Sequence, residues 1–517
     1  MVDYHLVILV HGLWGTCSHM DYLESQIKQI KSLNKDENII TYKTISHGGF
    51  LTYDGIDVNG KRIANEITAE TDKLTSNGNG VKKFSILGYS LGGLISRYAI
   101  GVLYYEGYFE KVLPVNFITF CTPHVGAIKP YRSFSAKMFN GFSSYFLAHS
   151  GAQMFLKDKQ PVKSEYGGNN DLNLPLLVWM AEPSSTFYIA LSKFKHRMVY
   201  ANAIGDKRAG FFTAAIATMD PFSSMVDRNV SAYDFEYVKG YEPTVIDFTK
   251  PISFSRIDET NTTPVYPIWS IIVKWVKLLV GIILVTPLWG LWFLYKTISE
   301  RIKLNKRVSS FFNETSLLYL YSYPDHIFDD ITSEDETPQP KNEKSELELN
   351  DKDGPHESFI YSLEKELGEQ VRDQTDIFVD SIFDAANSQS YEEYEYSISS
   401  RKRKRRNKDK PAPKSDNEFS STINEMENLN DSSDPLLSQS KLVTLKGKKI
   451  DDFRLKLSSN ELYIIQKLNK LDWEKYPVII RKTALTHSAA IVRQDEPAFE
   501  EGKTVVRHFV EQAFKLE

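Results

Sequence analysis

The chain predicts an α/β fold: a mostly parallel sheet with a serine nucleophile at the end of one strand. Two observations carry this. From residue 1 to about 250, short apolar or β-branched runs alternate with longer amphipathic stretches, as strands joined by crossover helices require. One of those runs, Phe84 to Leu87, leads directly into Gly88-Tyr89-Ser90-Leu91-Gly92 and then into an amphipathic stretch. That is a strand, a G-x-S-x-G turn and a helix, the local context in which such a serine acts as a nucleophile.

The strands come first. The clearest are Leu6 to Val10, Phe84 to Leu87, Val115 to Phe120 and Met198 to Ala203, each followed by Gly, Ser, Thr or Asn turn signals. Loops at the carboxyl ends of parallel strands are where catalytic groups belong. At the elbow, glycines at 88 and 92 relieve crowding around a strained Ser90, and the following helix directs its first amides at the site, so Leu91 N–H is the expected first oxyanion donor. The second is expected from His11-Gly12-Leu13-Trp14-Gly15 after the first strand, with Leu13 as donor and Gly12 permitting the turn. His11 is expected to orient this loop rather than to act as base, because the hydrolase chain order places the histidine last.

That order, Ser then Asp or Glu then His, defines the α/β-hydrolase arrangement and selects the remaining partners. Of the later histidines, His326 and His356 fall at or within a polar region and His508 within a helical pattern. His487, in Thr486-His487-Ser488-Ala489 after the strand-like Tyr476 to Ile480, is predicted in a loop as the general base. Asp206 follows a strand and Gly205, whereas Asp158, Asp171, Asp220, Asp227, Asp234 and Asp247 lack such a strand, so Asp206 is the predicted acid. Neither a metal nor an organic cofactor is needed for this chemistry.

Composition sets the wider limits. With 517 residues, 42% of them hydrophobic, the chain can bury a full core, and a net charge of -5 from 62 basic and 67 acidic residues predicts no nucleic-acid partner. Two cysteines, Cys17 and Cys121, make no disulfide framework and suggest a reducing compartment. The start runs from Met1 almost directly into a strand, so secretion is not expected, and the sequons at Asn229, Asn261, Asn313 and Asn430 are expected to stay unmodified.

Four regions follow from the pattern. Residues 1–250 form the catalytic domain bearing Ser90 and Asp206. Residues 265–307 form a hydrophobic, membrane-associated segment, 325–440 a disordered charged insert, and 441–517 the returning part of the hydrolase fold with His487. In the last region Leu457, Leu462, Ile465, Leu468 and Leu471 have helical spacing, and a final helix is expected through Val505, Val506, Phe509 and Phe514. From Leu278 to Tyr295 there is no charge for 18 residues, about 27 Å if helical. Trp269, Trp275, Trp289 and Trp292 supply interfacial aromatics, and lysines and arginines flank both ends. A single crossing would separate His487 from Ser90, so a monotopic hairpin bent near Pro287 is expected, on a lipid droplet or the cytosolic face of the endoplasmic reticulum. A buried core helix or lid is the alternative, and the aromatic stretch Phe134 to Phe155 is a second candidate lid. Arg401 to Arg406 fits anionic lipid or a nuclear address, with a solvated charge run as the default.

These blocks together resemble the "putative serine esterase" family of fungi and plants, α/β-hydrolases that include a yeast lipid-droplet phospholipase. The resemblance rests on His11-Gly12-Leu13-Trp14-Gly15, Gly88-Tyr89-Ser90-Leu91-Gly92-Gly93, Thr122-Pro123-His124-Val125-Gly126, Tyr200-Ala201-Asn202 leading to Asp206, Thr213-Ala214, and His487-Ser488-Ala489-Ala490-Ile491-Val492-Arg493. It covers roughly the first 250 residues and the last 60, and implies an acyl-lipid substrate, phospholipid or neutral glycerolipid, at a membrane or lipid-droplet surface. His124 is expected to be structural. A thioesterase or protein depalmitoylase fits the same triad, and a non-catalytic lipid-binding scaffold is the reading from another class.

Overall fold

The computed structural model describes residues 2–33, 38–76, 78–130, 140–141, 143–162, 172–222, 233–250, 252–254, 299, 302–309, 318–321, 443–445 and 455–517. The apolar stretch 268–295, the charged insert 325–440 and the basic run 401–406 lie outside these residues. Among the described residues no helix is long and apolar enough to cross a membrane.

Six strands form the central sheet: β1 (Asp3–Val10), β2 (Asn38–Lys43), β3 (Gly80–Tyr89), β4 (Leu113–Phe120), β5 (His196–Asn202) and β6 (Glu474–Val478). Their order is β6-β5-β4-β3-β1-β2, with every neighbouring pair parallel. Leu6, Val7, Ile8, Leu9 and Val10 are all fully buried, as a strand covered on both faces requires. The sequence pattern misses β2, which lies at the sheet edge and is mostly half-buried, so its apolar run is short and interrupted.

Helices cover both faces. Helix α1 (Asp21–Leu33) and the helix Glu500–His508 pack on one side, and α2 (Ile56–Thr75), α3 (Leu91–Tyr105), Thr186–Ser192 and Ser459–Leu468 on the other. The connections from β1 lead outward to β2 and those from β3 lead the opposite way. The carboxyl ends of β1 and β3 therefore border the crevice at the switch point of the sheet.

The C-terminal region supplies the sixth strand of this sheet, while Val443–Leu445 pairs with Ile252–Phe254 in a separate three-stranded sheet. Tyr476 pairs with Tyr200 and Val478 with Asn202. The outer side of β6 is covered where Ile246 N–H donates to Pro477 C=O at 2.9 Å and Ile479 N–H to Thr244 C=O at 2.8 Å. The helical spacing near Leu457 resolves into Ser459–Leu468, opened by a capping box between Ser458 and Glu461, with Leu457 and Leu471 packed on the core outside it. The final helix is shorter than its apolar spacing predicts. It ends at His508, passes through a π-helical turn, Phe509–Ala513, and leaves Phe514 extended. The physical reason is the tail. Asn116 Nδ2 donates to Lys515 C=O at 2.7 Å, Lys83 Nζ to Leu516 C=O at 2.8 Å, and Phe514 stacks on His5, so the last residues are drawn across β1, β3 and β4.

Within the aromatic stretch, 131–139 lie outside the described residues, while Ala148–Met154 is a helix docked on the start of α2. Ser150 Oγ donates to Thr52 C=O at 2.5 Å, and Gln153 Oε1 accepts from Ile56 N–H at 2.6 Å.

Candidate active site

Ser90 occupies the turn between β3 and α3 with φ 54° and ψ -127°, a conformation that costs an L-residue roughly 1–3 kcal/mol. The surroundings hold it there. Ser90 N–H donates to Phe120 C=O at 2.9 Å, and Gly93 N–H to Ser90 C=O at 3.1 Å. The flanking glycines answer to space: a Cβ on Gly92 would lie 2.3 Å from Val10 O and 2.5 Å from His11 O, and one on Gly88 2.3 Å from Gly93 Cα. Only without those carbons can the start of α3 close against the end of β1.

His487 lies in a single helical turn, Thr486–Ala489, where the sequence predicts a loop. The turn closes because Ala489 N–H finds Leu485 C=O at 2.9 Å, a local bond that no periodic apolar pattern announces. From it, His487 Nε2 reaches Ser90 Oγ at 2.9 Å and Nδ1 reaches Asp206 Oδ2 at 2.8 Å. The histidine and aspartate side chains are 5% and 1% exposed, so this chain of bonds is almost sealed from water. A carboxylate only accepts hydrogen bonds, so Nδ1 carries the proton and Nε2 presents its lone pair to the serine hydroxyl.

Asp206 is held on every side. Its Oδ1 accepts from Arg208 N–H at 3.0 Å and Ala209 N–H at 2.9 Å, and its Oδ2 also accepts from Asn202 Nδ2 at 3.1 Å. Burial by itself raises this carboxyl, but the charge and hydrogen bond of His487, with the bonds from Ala209 and Asn202, outweigh it and hold Asp206 below its ordinary value. It is therefore ionised at neutral pH.

The loop after β1 lies against Ser90. A Cβ on Gly12 would be 2.8 Å from Ser90 Cβ and 3.3 Å from its Oγ, so a bare glycine is what allows this approach. Trp14 takes a positive φ of 54°, its N–H donating to Thr52 Oγ1 at 3.2 Å, and Gly15 N–H donates to Gly12 C=O at 3.0 Å. His11 is fully buried. Its Nδ1 bonds Gly12 C=O at 3.0 Å, its ring stacks on His47 at 3.9 Å, and His47 Nε2 donates to His11 C=O at 3.2 Å. Burial, then His11, pushes the His47 pKa well down, so this imidazole is neutral.

Sequence reasoning passes over His47, which no motif includes, and assigns no role to Asn202. The clue to Asn202 was its place at the end of β5, four residues before Asp206. Its Nδ2 joins Asp206, Thr486 C=O at 3.1 Å and Cys121 Sγ at 3.3 Å. His124 has a framework role. It is completely buried, with Nε2 2.8 Å from Thr119 Oγ1; burial, then Arg97 and Lys475, holds it well below its ordinary pKa. Arg97, buried under the site, donates to the carbonyls of His124 and Met180. Thr213 ties the loop after β4 to the chain after β5, accepting from Val125 N–H at 3.1 Å and donating to Gly126 C=O at 2.7 Å.

A doubly covered parallel sheet with a serine elbow after β3, an aspartate after β5 and a histidine after β6 is the α/β-hydrolase architecture. Residues 2–218 match the family described as "Putative serine esterase (DUF676)". The chain is similar to "Putative lipase YDL109C" of Saccharomyces cerevisiae, 32% identical over 219 residues that make up 42% of this chain and 31% of the relative. It is also similar to "Putative lipase ROG1" of the same yeast, 26% identical over 271 residues, 52% of this chain and 36% of the relative. The chain thus spans about a third of the length of these relatives. Among solved structures, phospholipase PlaB from Legionella pneumophila aligns with a TM-score of 0.23 and 14% identity over 41% of each chain, a likeness that bears on neither fold nor substrate.

Proposed function

We propose that the chain is a serine carboxylic-ester hydrolase acting on acyl lipids, with Ser90 as nucleophile, His487 as general acid and base, and Asp206 as the group that orients the imidazole. The observation that carries it is the continuous hydrogen-bonded path from Ser90 Oγ through both nitrogens of His487 to Asp206. Nε2 takes the hydroxyl proton as Oγ attacks the ester carbonyl, the ionised Asp206 stabilises the resulting imidazolium, and the proton passes to the departing alcohol. Water then attacks the acyl-enzyme with the same imidazole as base.

Leu91 and Leu13 supply the oxyanion donors in this mechanism. Leu91 opens α3, where first-turn amides lack a partner within the helix. Leu13 precedes two residues whose own amides bond Thr52 and Gly12, beside the glycine that faces Ser90. Each donor contributes about 3 kcal/mol to stabilising the transition state.

The substrate is a phospholipid or neutral glycerolipid at a lipid-droplet or cytosolic endoplasmic-reticulum surface. The apolar stretch 268–295 with basic flanks supports this, as do the lipase names of the relatives. Because β5 and β6 are paired, the parts of the chain before and after that stretch share one compartment, which supports a hairpin that enters and returns. Fluorophosphonate labelling of the wild-type chain and of Ser90→Ala, with parallel hydrolysis of phospholipid, triacylglycerol and acyl-thioester, tests the chemistry. Label and lipolysis lost together in Ser90→Ala are the expected result. Lipolysis that survives in this variant overturns the proposal, and turnover confined to the thioester moves it to a thioesterase. Protease protection of one terminal part alone in vesicles would exclude the hairpin.

A further inference from the structure

We propose that Cys121, Asp206 and His487 form a binding site for a thiophilic divalent cation of the Zn2+ or Cd2+ class, and that occupancy of this site switches the triad off. Cys121 directly follows β4, is fully buried with φ 50°, and shares the Asn202 Nδ2 donor with Asp206. One donor atom from each of the three residues lies within 4.8 Å of the other two. A thiolate, an imidazole nitrogen and a carboxylate oxygen are the donor types a tetrahedral zinc site combines, with a solvent molecule in the fourth position. Metal–ligand distances of about 2.0–2.3 Å place such donors roughly 3.3–3.6 Å apart, so the cluster needs rearrangement on the order of 1 Å.

Burial, then the Asp206 charge, pushes the Cys121 thiol well up, so it is the entering cation that must displace the thiol proton, and charge balance then holds the ion. A dication with one thiolate and one carboxylate is neutral overall, whereas the carboxylate alone leaves a buried negative charge. Asn202 Nδ2, 3.3 Å from Sγ and 3.1 Å from Asp206 Oδ2, already donates toward two of the three ligands and orients both. Soft thiolate ligation selects Zn2+ and Cd2+ over Mg2+ and Ca2+.

Inhibition follows from proton positions. In the active triad the single imidazole proton is on Nδ1 and Nε2 accepts from Ser90. When the cation takes Nδ1, that proton is transferred to Nε2, and the thiol proton leaves to solvent, so one proton is released per ion bound. An Nε2 that carries a proton cannot accept the serine's, and Ser90 is no longer activated.

The inhibitory consequence rests on the Ser90–His487 assignment, whereas binding does not, and the experiment separates them. The full chain in chelator-treated buffer is titrated with ZnCl2, CdCl2 or MgCl2 while the rate of fluorophosphonate labelling is followed. Each variant is compared with its own metal-free rate, and the ultraviolet thiolate-to-Cd2+ absorption band is recorded in parallel. Expected are slowing of labelling by Zn2+ and Cd2+ of at least about tenfold, reversed by EDTA, no effect of Mg2+, and a Cd2+ band retained in Cys17→Ser. Cys121→Ser and Cys121→Ala should lose the band and require roughly 10- to 100-fold more metal. Equal inhibition of wild type and both Cys121 variants, or normal labelling with neither band nor inhibition, overturns the site. Absence of labelling before any metal is added instead refutes Ser90 as nucleophile, and the Cd2+ band still reports on binding.

Discussion

Arg307 grips Asp54 through two nitrogens, Nε at 3.1 Å from Oδ2 and Nη2 at 2.8 Å from Oδ1, while Arg62 approaches the same carboxylate at 2.8 Å. The Asp54 side chain has no exposed surface. Arg307 belongs to a helical segment at 302–309 that follows the apolar stretch. Asp54 is two residues beyond Thr52, whose hydroxyl holds Trp14 N–H in the loop beside Ser90. A short path of bonds thus joins the helical segment 302–309 to the loop beside Ser90.

Arg307→Ala should therefore destabilise the fold by roughly 1–3 kcal/mol, less than the 3–5 kcal/mol of a fully broken buried pair, because Arg62 remains. Asp54→Ala should cost more, since it leaves two arginines without their shared carboxylate. Urea unfolding of both variants and of the double variant measures this, and limited proteolysis should cut first near 302–309 in Arg307→Ala. Strict additivity of the two substitutions would show that the pair is not coupled.

The triad predicts unequal losses. Ser90→Ala and His487→Ala should each remove essentially all hydrolysis. Asp206→Asn should lower kcat about 10⁴-fold by letting the imidazole adopt the wrong tautomer, with little change in KM. Steady-state kinetics on a soluble chromogenic ester gives these values, and a drop in kcat below tenfold for Asp206→Asn would deny the aspartate its orienting role.

Gly12→Ala separates catalysis from stability. The added carbon would stand 2.8 Å from Ser90 Cβ and 2.9 Å from Tyr89 O, so the loop and Ser90 must move apart. Displacing one oxyanion donor predicts a loss of 10²- to 10³-fold in kcat. The fluorophosphonate labelling rate and the thermal midpoint should be measured together. A normal rate with a lowered midpoint would mean that this glycine serves packing alone.

Acid should destabilise the protein partly through His5. Burial, then Lys83, lowers its pKa from 6.5 to about 3, and its Nε2 lies 2.7 Å from Ser85 Oγ. The unfolded chain takes up this proton below pH 6.5 while the native chain resists it until about pH 3. The stability tied to neutral His5 is present above pH 6.5 and is lost as pH falls from 6.5 toward 3, at up to roughly 1.4 kcal/mol per pH unit. His508, lowered to about 4 by burial and then Lys515, acts in the same direction. Unfolding free energies from urea titrations at pH 7, 6 and 5 should show a shallower slope for His5→Gln than for wild type. Parallel slopes would remove His5 from the account.

What the amino-acid sequence determined by itself is local. The strand-turn-helix at Phe84 to Leu94, the glycine loop after β1 and an aspartate just past a strand each reside in about a dozen residues, and periodicity, turn chemistry and chain order act over that length. Tertiary structure alone decided that Ser90 and His487, 397 positions apart, stand 2.9 Å from one another, because their meeting depends on β6 adding to β5 at the far edge of the sheet. It also decided that Asn202 joins Cys121 and Asp206, that His47 stacks under His11, and that the last helix stops at His508. Those relationships come from strand pairing and close approach between distant segments, so their determinants are dispersed along the chain and leave no pattern in any short stretch.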